Sequence, residues 1–161
     1  RVERMEVHRG HLVCRVSFGT ASHETSPELM AQVLAAFPTL PQHACVNERG
    51  TTFAAVMNRT PLPHLLEHLV VDLQVRAIAS AKGSTGLGAQ HAARSQRETQ
   101  AKPIVGTSEW LNEQQGTARI DVSFSDDLIA LRAMRDAVAF LNETLTVHGN
   151  QQVEHHSEQL T

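Results

Sequence analysis

Residues 62–79 restrict the fold of this chain more than any other stretch, because their apolar side chains recur at helical spacing. The recurrence gives a wide apolar stripe made of Leu65, Leu66, Leu69, Leu73 and Ile78. Thr60 or Pro61 opens the helix, and Pro63 is tolerated in its first turn. The pattern predicts a helix that runs to about residue 80 and buries one face against other elements.

The same stretch contains the sequence His-Leu-Leu-Glu-His at residues 64–68. Positions i and i+4 of a helix share a face, so His64 and His68 can present two imidazoles to one metal ion. Glu67 projects from nearly the same face, where a carboxylate can act as the general base that activates water. This order of residues is the inverted zinc-peptidase pattern. It predicts a metal site, with zinc as the expected ion, in a metal-dependent hydrolase.

A catalytic zinc ion needs a third protein ligand and an open position. His43 is the candidate third ligand, because it lies in a predicted loop just before the helix. The thiolate of Cys45 is an alternative, although a closed site of cysteine and histidine would be structural rather than catalytic. Asp72 follows His64 by two turns on a similar face, and we expect its carboxylate to orient His68 from outside the ligand shell.

Each of these residues also has an ordinary structural interpretation. A chain with ten histidines can contain this motif by chance, and its polar side chains then form a solvated or hydrogen-bonded stripe. Cys45 is then a small buried thiol, and Asp72 forms an ion pair with Arg76 four residues later. The motif alone does not decide between a metal site and a structural polar cluster.

Outside this helix the chain alternates between strand and helix patterns. Residues 12–18 are rich in β-branched and apolar side chains, which predicts a strand, and residues 118–124 alternate as a half-buried strand does. Ser26 and Pro27 open a predicted helix that ends near residue 37. Three further segments complete the pattern, namely a strand at 51–57, ordered chain from 103, and a closing helix from 125 to about 147. We therefore expect an α+β fold, with a small mixed or antiparallel sheet of 3-4 strands packed against about three helices.

The length of 161 residues fits one compact domain. We assign residues 1–150 to that domain and residues 151–161 to a polar tail, and we expect the chain to fray from residue 148. Residues 82–102 contain almost no large apolar side chains, so we expect a mobile loop there.

Composition and charge exclude several classes of partner. Aromatic residues make up 4% of the chain, and the net charge is -3 with scattered basic residues, so we expect no nucleic-acid binding. No apolar run reaches the roughly 20 residues of a membrane span. Two cysteines without a Cys-x-x-Cys partner favour a reduced, cytoplasmic setting. The chain starts at Arg1, and its sequence does not decide between a complete protein and a piece of a longer one.

Three segments in fixed order resemble a known family. They read Phe-Pro-Thr-Leu-Pro-Gln-His-Ala-Cys at 37–45, Gly-Thr-Thr-Phe at 50–53 and His-Leu-Leu-Glu-His-Leu-Val-Val-Asp-Leu-Gln at 64–74. Their order and spacing resemble the N-terminal domain of cyanophycin synthetase. The resemblance continues through Gly106 and Thr107 and the closing helix, so that it covers most of residues 10–145. Arg59-Thr60-Pro61 replaces the family's Gly-Thr-Trp, a departure that bears on the substrate rather than on the motif.

The resemblance implies a function for this motif. In that family the domain precedes an ATP-grasp module and a Mur-ligase-like module, which polymerise aspartate and arginine. The domain is regarded as binding the polymer, and in some members it trims polymer at a metallopeptidase-like site. The 161 residues contain neither ligase module, so we expect a stand-alone domain that hydrolyses a peptide or isopeptide bond in a peptide or Asp-Arg polymer-like substrate. The alternative is a non-enzymatic polymer-binding or protein-interaction domain with a structural histidine cluster, and a homo-oligomer is compatible with either.

Overall fold

Strands from the N-terminal part of the chain and from residues 106–123 meet in one sheet. The computed structural model describes residues 1–19, 23–83 and 102–158. Within these ranges lie six strands and three helices, in the order β1 (Val2–His8), β2 (His11–Ser17), α1 (Pro27–Ala36), β3 (Ala44–Asn47), β4 (Gly50–Thr52), α2 (Leu62–Gly83), β5 (Gly106–Asn112), β6 (Thr117–Ser123) and α3 (Asp127–Glu158). Two 3-10 turns, Leu40–Gln42 and Phe53–Ala55, flank the hairpin of β3 and β4.

The central sheet is antiparallel, with the strand order β1-β2-β6-β5. Its inner face follows from alternation in β2, where Leu12, Cys14 and Val16 are buried and the residues between them are partly or fully exposed. β6 lies beside β2, with Ile120 opposite Cys14. α2 packs against α3, β5 and β6. The α+β prediction is therefore confirmed, with four strands in the main sheet and three described helices.

Leu65 of α2 belongs to the core and has no exposed surface. Replacing it with alanine removes buried apolar atoms and leaves a cavity, which typically lowers the free energy of unfolding by about 2–5 kcal/mol. The matched control is Leu128→Ala in α3, because 72% of Leu128 is exposed. We expect that control to lose less than about 0.5 kcal/mol. Urea denaturation measures both variants, and equal losses would contradict this packing.

The charged N-terminus forms a strand that the sequence analysis did not predict. β1 pairs with β2, and Glu3 of β1 forms an ion pair with Arg15 of β2 at 3.0 Å. β1 is an edge strand, and charged side chains are common on edge strands because they discourage pairing with other chains. Gly10 closes the turn into β2 with a φ of 86°, a conformation that glycine adopts without strain.

Two boundaries near the site and the C-terminus differ from expectation. The strand predicted at 51–57 ends at Thr52 and continues as a 3-10 turn, which buries Phe53 in the core. α3 extends to Glu158, so helix replaces the frayed chain that we expected from residue 148.

The predicted mobile loop at 82–102 falls mostly on residues 84–101, which lie outside the described residues, as do residues 159–161. α2 itself extends through Gly83. Among the helices that the structure describes, none is long and apolar enough to cross a membrane.

Candidate metal centre

The first turns of α2 carry the His-x-x-Glu-His motif along the side of an open groove. A backbone bridge between Glu24 and Pro61 holds the chain just before the helix. The apolar residues that alternate with the motif lie in the core, namely Leu65, Leu66 and Leu69. The helix therefore leaves His64, Glu67 and His68 to line the groove.

Cys45, His64 and His68 bring three ligand atoms together. Sγ of Cys45 lies 3.3 Å from Nε2 of His64, which lies 3.2 Å from Nε2 of His68. One ligand atom from each residue lies within 4.8 Å of the others. Cys45 is on β3, and the hydrogen bond from the Phe53 N–H to the His43 carbonyl oxygen (2.9 Å) ties that hairpin together. The three residues are able to hold a metal ion, and we call them the Cys-His-His cluster.

His43 contacts His68 on the side away from this cluster. Nδ1 of His43 lies 3.3 Å from Nδ1 of His68, and Nε2 of His43 lies 3.2 Å from Oδ1 of Asp72. An ionised Asp72 only accepts hydrogen bonds, so Nε2 of His43 donates to it, and Nδ1 of a neutral His43 accepts from the Nδ1–H of His68. The chain of hydrogen bonds leaves Nε2 of His68 unprotonated, with its lone pair on the side of the Cys-His-His cluster.

Asp72 is held in its ionised form although it is only 3% exposed. Burial alone would raise the pKa of Asp72, but hydrogen bonds from His43 and from Thr39 (2.7 Å), together with the charge of Arg76, hold that pKa below its usual value. Arg76 also forms an ion pair with Asp72. The carboxylate is therefore a fixed acceptor at the end of the hydrogen-bond chain.

Both motif histidines are neutral at ordinary pH. Burial lowers the pKa of His64, and burial together with the nearby His64 and His43 lowers the pKa of His68 to about 3. Neutral imidazole is the form that binds metal ions. The Thr60 hydroxyl lies 2.7 Å from Nδ1 of His64, and the Phe53 ring packs on His68 with the ring centroids 4.2 Å apart. These contacts fix both rings.

Glu67 is held in place from the sheet. The Ser108 hydroxyl on β5 donates to Oε2 of Glu67 at 2.7 Å. Burial raises the pKa of Glu67, and this hydrogen bond only partly opposes the shift. Gly106 makes the close approach of β5 feasible, because a Cβ there would lie 2.6 Å from Cγ of Glu67. The carboxyl group of Glu67 is therefore fixed in the groove, with a pKa above its usual value.

The groove beside these residues has a volume of about 940 Å³. α2 contributes one side with the motif and with Val71 and Val75, and β3 contributes Val46. The opposite side is a continuous run of chain, residues 103–110, that leads into and along β5. The candidate site is therefore an open groove between α2, β3 and the chain that leads into β5.

The structure places every predicted site residue in this one neighbourhood. Cys45, the alternative third ligand, joins His64 and His68 in the Cys-His-His cluster. His43, the first candidate for that position, has both ring nitrogens directed at His68 and Asp72. Asp72 reaches His68 through His43 and also forms the ion pair with Arg76 that the structural interpretation expected.

Sequence reasoning missed three residues that support the site. The sequence predicts Thr60 only as the start of a helix, whereas the structure makes it the partner of His64. Ser108 and Gly106 act on Glu67 from β5. Thr60 stands four residues before His64, a helical spacing that would have suggested the contact. No local pattern connects Ser108 to Glu67, because 41 positions separate them.

The two cysteines differ in environment, and we expect them to differ in reactivity. Burial, aided by Asp121, raises the pKa of Cys14 to about 12, and Cys14 has no exposed surface. Since thiolates and not thiols react with iodoacetamide, Cys14 stays unmodified in folded protein at pH 8.5. Cys45 is only 7% exposed but lines the groove, so we expect it to be labelled once a chelator has removed any bound metal. Intact-mass and peptide mass spectrometry check this, with Cys45→Ala as the control that takes up no label. Labelling of Cys14 before global unfolding would contradict its position in the core.

Comparison with known proteins agrees with the resemblance seen in the sequence. The model of the family described as cyanophycin synthase-like N-terminal domain matches residues 12–93, just over half of the chain. The matched range contains His43, Cys45 and the whole 64–68 motif. No curated protein and no solved structure matches the chain significantly. The chain therefore belongs to the cyanophycin synthase-like N-terminal domain family.

Proposed function

We propose that this domain is a metal-dependent hydrolase of peptide or isopeptide bonds in a polymer-like substrate. The observation that carries the proposal is the convergence of Cys45, His64 and His68 on one point, beside Glu67 in an open groove. A structural zinc site is normally closed by four protein ligands, whereas a catalytic site has three and keeps one position open. Three ligand atoms at the side of a groove fit the catalytic type.

The donor set fits zinc. One cysteine sulfur and two imidazole nitrogens are ligands that Zn²⁺ binds well. Zinc held by Cys45, His64 and His68 would supply Lewis-acid polarisation of the bond to be cleaved. The hydrogen-bond chain from Asp72 through His43 supports the same assignment, because it holds His68 in the tautomer whose Nε2 is free to coordinate.

Glu67 carries the proton in this proposal. It removes a proton from the attacking water while the water oxygen forms a bond to the carbonyl carbon. It then returns that proton to the leaving amine nitrogen as the C–N bond breaks, so that a carboxylic acid and an amine are the products. The hydrogen bond from Ser108 at 2.7 Å positions the carboxyl group of Glu67, and burial raises the pKa of that group, a shift that favours uptake of a proton.

Metal content and hydrolysis together test the proposal. The protein is purified without a histidine tag, its zinc is quantified, and cleavage of a synthetic Asp-Arg polymer and of a mixture of casein peptides is followed by the release of amino groups. We expect about one zinc per chain and cleavage that stops with a chelator and returns with added Zn²⁺. Uncleaved polymer and uncleaved peptides in every sample would contradict the proposal of a hydrolase.

The alternative function is a binding or protein-interaction domain, and one observation favours it. The Cys-His-His cluster is also a complete hydrogen-bonded group without metal, if Nε2–H of His64 donates to Nε2 of His68 and the Thr60 hydroxyl donates to Nδ1 of His64. In that case polymer or partner binding persists in the presence of chelator and no hydrolysis occurs. Pull-down of Asp-Arg polymer with and without chelator separates the two functions.

A further inference from the structure

We propose that the groove takes an extended peptide with uncharged aliphatic side chains, which adds as a fifth strand to the edge of β5 that faces away from β6. This inference deepens the proposed function by naming its substrate class, and of the two substrates in the test above it favours the casein peptides over the Asp-Arg polymer. Only cleavage of the peptide rests on that function. The binding itself rests on the backbone of β5, on the charge of the strand edges and on the side chains that line the groove.

The backbone of β5 has hydrogen-bonding groups directed away from the sheet. Ser123 N–H donates to the Val105 carbonyl oxygen at 2.8 Å, so this pair is one of the hydrogen-bonded pairs between β6 and the start of β5. Because such pairs alternate in an antiparallel ladder, the next ones fall at Thr107 and Glu109. The N–H and C=O groups of the residues between them point to the other side, namely those of Gly106, Ser108 and Trp110.

The pairing of β6 with β2 agrees with this register. Phe124 N–H donates to the Gly10 carbonyl oxygen at 3.0 Å, so the even-numbered residues of β6 bond to β2 and its odd-numbered residues bond to β5. β5 is the last strand of the sheet, and in the described part of the chain no strand pairs with its other side. Its outward groups are therefore spaced to receive the main chain of an extended peptide.

The groove runs along that outer edge of β5. Gly106 and Ser108 face α2, as the contacts of both with Glu67 establish, so Thr107 and Glu109 face the opposite side of the sheet. All four nevertheless line the groove. A lining that includes residues from both faces of one strand agrees with a groove that follows the edge of that strand. A peptide paired there passes directly beside Glu67.

The two edges of the sheet differ in charge. β1 carries Glu3, Arg4, Glu6 and His8 within seven residues, the kind of side chains that discourage pairing with another strand. β5 carries only Glu109 as a charged residue within its seven. The protected edge is thus the one far from the Cys-His-His cluster, whereas the edge beside the cluster is left able to accept a strand.

The groove also indicates the side chains of the peptide. Val46 is fully exposed, and 52% of Val75 and 59% of Val105 are exposed, although all three line the groove. Among the described residues of the lining there is no lysine or arginine, so the aspartate carboxylates of an Asp-Arg polymer find no cationic partner there. Exposed apolar side chains along a binding groove favour aliphatic partners.

The fluorescence of Trp110 can measure peptide binding to this edge. Trp110 is the single tryptophan of a chain without tyrosine, and it lines the groove, so intrinsic fluorescence reports occupancy of this edge. The probe is acetyl-Ser-Val-Ala-Val-Ala-Ser-amide, titrated into the Glu67→Gln variant with chelator present, which prevents cleavage. We expect saturable binding, and about tenfold weaker binding when the two valines are replaced by aspartates. Equal affinities for the two peptides would overturn the aliphatic preference.

N-methylation of the probe, one amide at a time, tests the strand geometry. A peptide paired with β5 donates every second N–H to the edge, so we expect losses of about tenfold at alternate positions and little change at the others. Losses of affinity that do not alternate along the peptide would overturn the proposal. Val75→Asp is expected to weaken binding about tenfold, and Val7→Asp on β1 is the matched control, because 49% of Val7 is exposed far from the groove.

These binding measurements need neither metal nor turnover, so they test the strand addition separately from the proposed hydrolysis. Periodic binding without zinc or cleavage would contradict only the proposed function. Chelator-sensitive cleavage without periodic binding would contradict only the strand addition. A change of Trp110 emission with protein concentration, unaffected by peptide, would assign the edge of β5 to a second copy of this chain and would also overturn the proposal.

Discussion

Replacing Glu67 with glutamine is expected to lower the rate of hydrolysis by about 100-fold or more, because a general base typically contributes about 10²–10⁴ to the rate. Glutamine keeps the size of the side chain and can still bond to the Ser108 hydroxyl, but it cannot take up a proton from water. Zinc content and thermal stability should stay close to those of the unmodified protein, because the Cys-His-His cluster is untouched. Single-turnover assays with zinc quantitation in the same samples measure both quantities.

The matched control for this variant is Glu6→Gln. Glu6 lies on β1 at the opposite edge of the sheet, outside the groove, and its partly exposed side chain pairs with Arg4 at 2.6 Å. We expect its activity to stay within about twofold, since exposed ion pairs of this kind are worth little. If Glu67→Gln retained activity, or if both variants lost it equally, Glu67 would not be the base.

The helix and its motif were predictable because their physics is local. Helical periodicity alone places His64 and His68 on one face, and the apolar residues between them determine which face is buried. The central strands β2 and β6 were predictable for the same reason, because alternation shows in the sequence whenever one face is buried. β1 shows no such alternation of apolar and polar residues, since its side chains are mostly exposed and several are charged, as is common for an edge strand.

The ligand set was harder to predict because His43 and Cys45 are two residues apart at the start of β3. In extended chain, residues i and i+2 lie on the same side, so either one can approach the motif histidines. Asp72 distinguishes them, because it lies two turns along α2 and hydrogen-bonds His43, while Cys45 approaches His64. This assignment depends on how the hairpin packs against the helix, which no spacing in the sequence encodes.

His64→Ala is expected to abolish stoichiometric zinc binding and the stabilisation that zinc provides. A metal ion that binds only folded protein stabilises it by about 2.7 kcal/mol at a free concentration 100 times its dissociation constant. We therefore expect added Zn²⁺ to raise the melting temperature of the unmodified protein, first made metal-free with a chelator, and not that of this variant treated in the same way. His11→Ala is the control, because His11 lies on β2 in a pair with Asp121 (2.8 Å), away from the cluster.

Comparison of His43→Ala with Cys45→Ser then identifies the third ligand. Removing a residue that hydrogen-bonds a metal ligand, without binding the metal itself, typically weakens metal binding by about 10–100-fold. We expect His43→Ala to fall in this range, because it frees the ring of His68 to reorient. Loss of Cys45 should exceed it, since the thiol lies 3.3 Å from Nε2 of His64 and supplies a donor atom itself. Competition titration with a zinc chelator of known affinity gives both dissociation constants. The reverse order of losses would make His43 the ligand and Cys45 a neighbouring buried thiol.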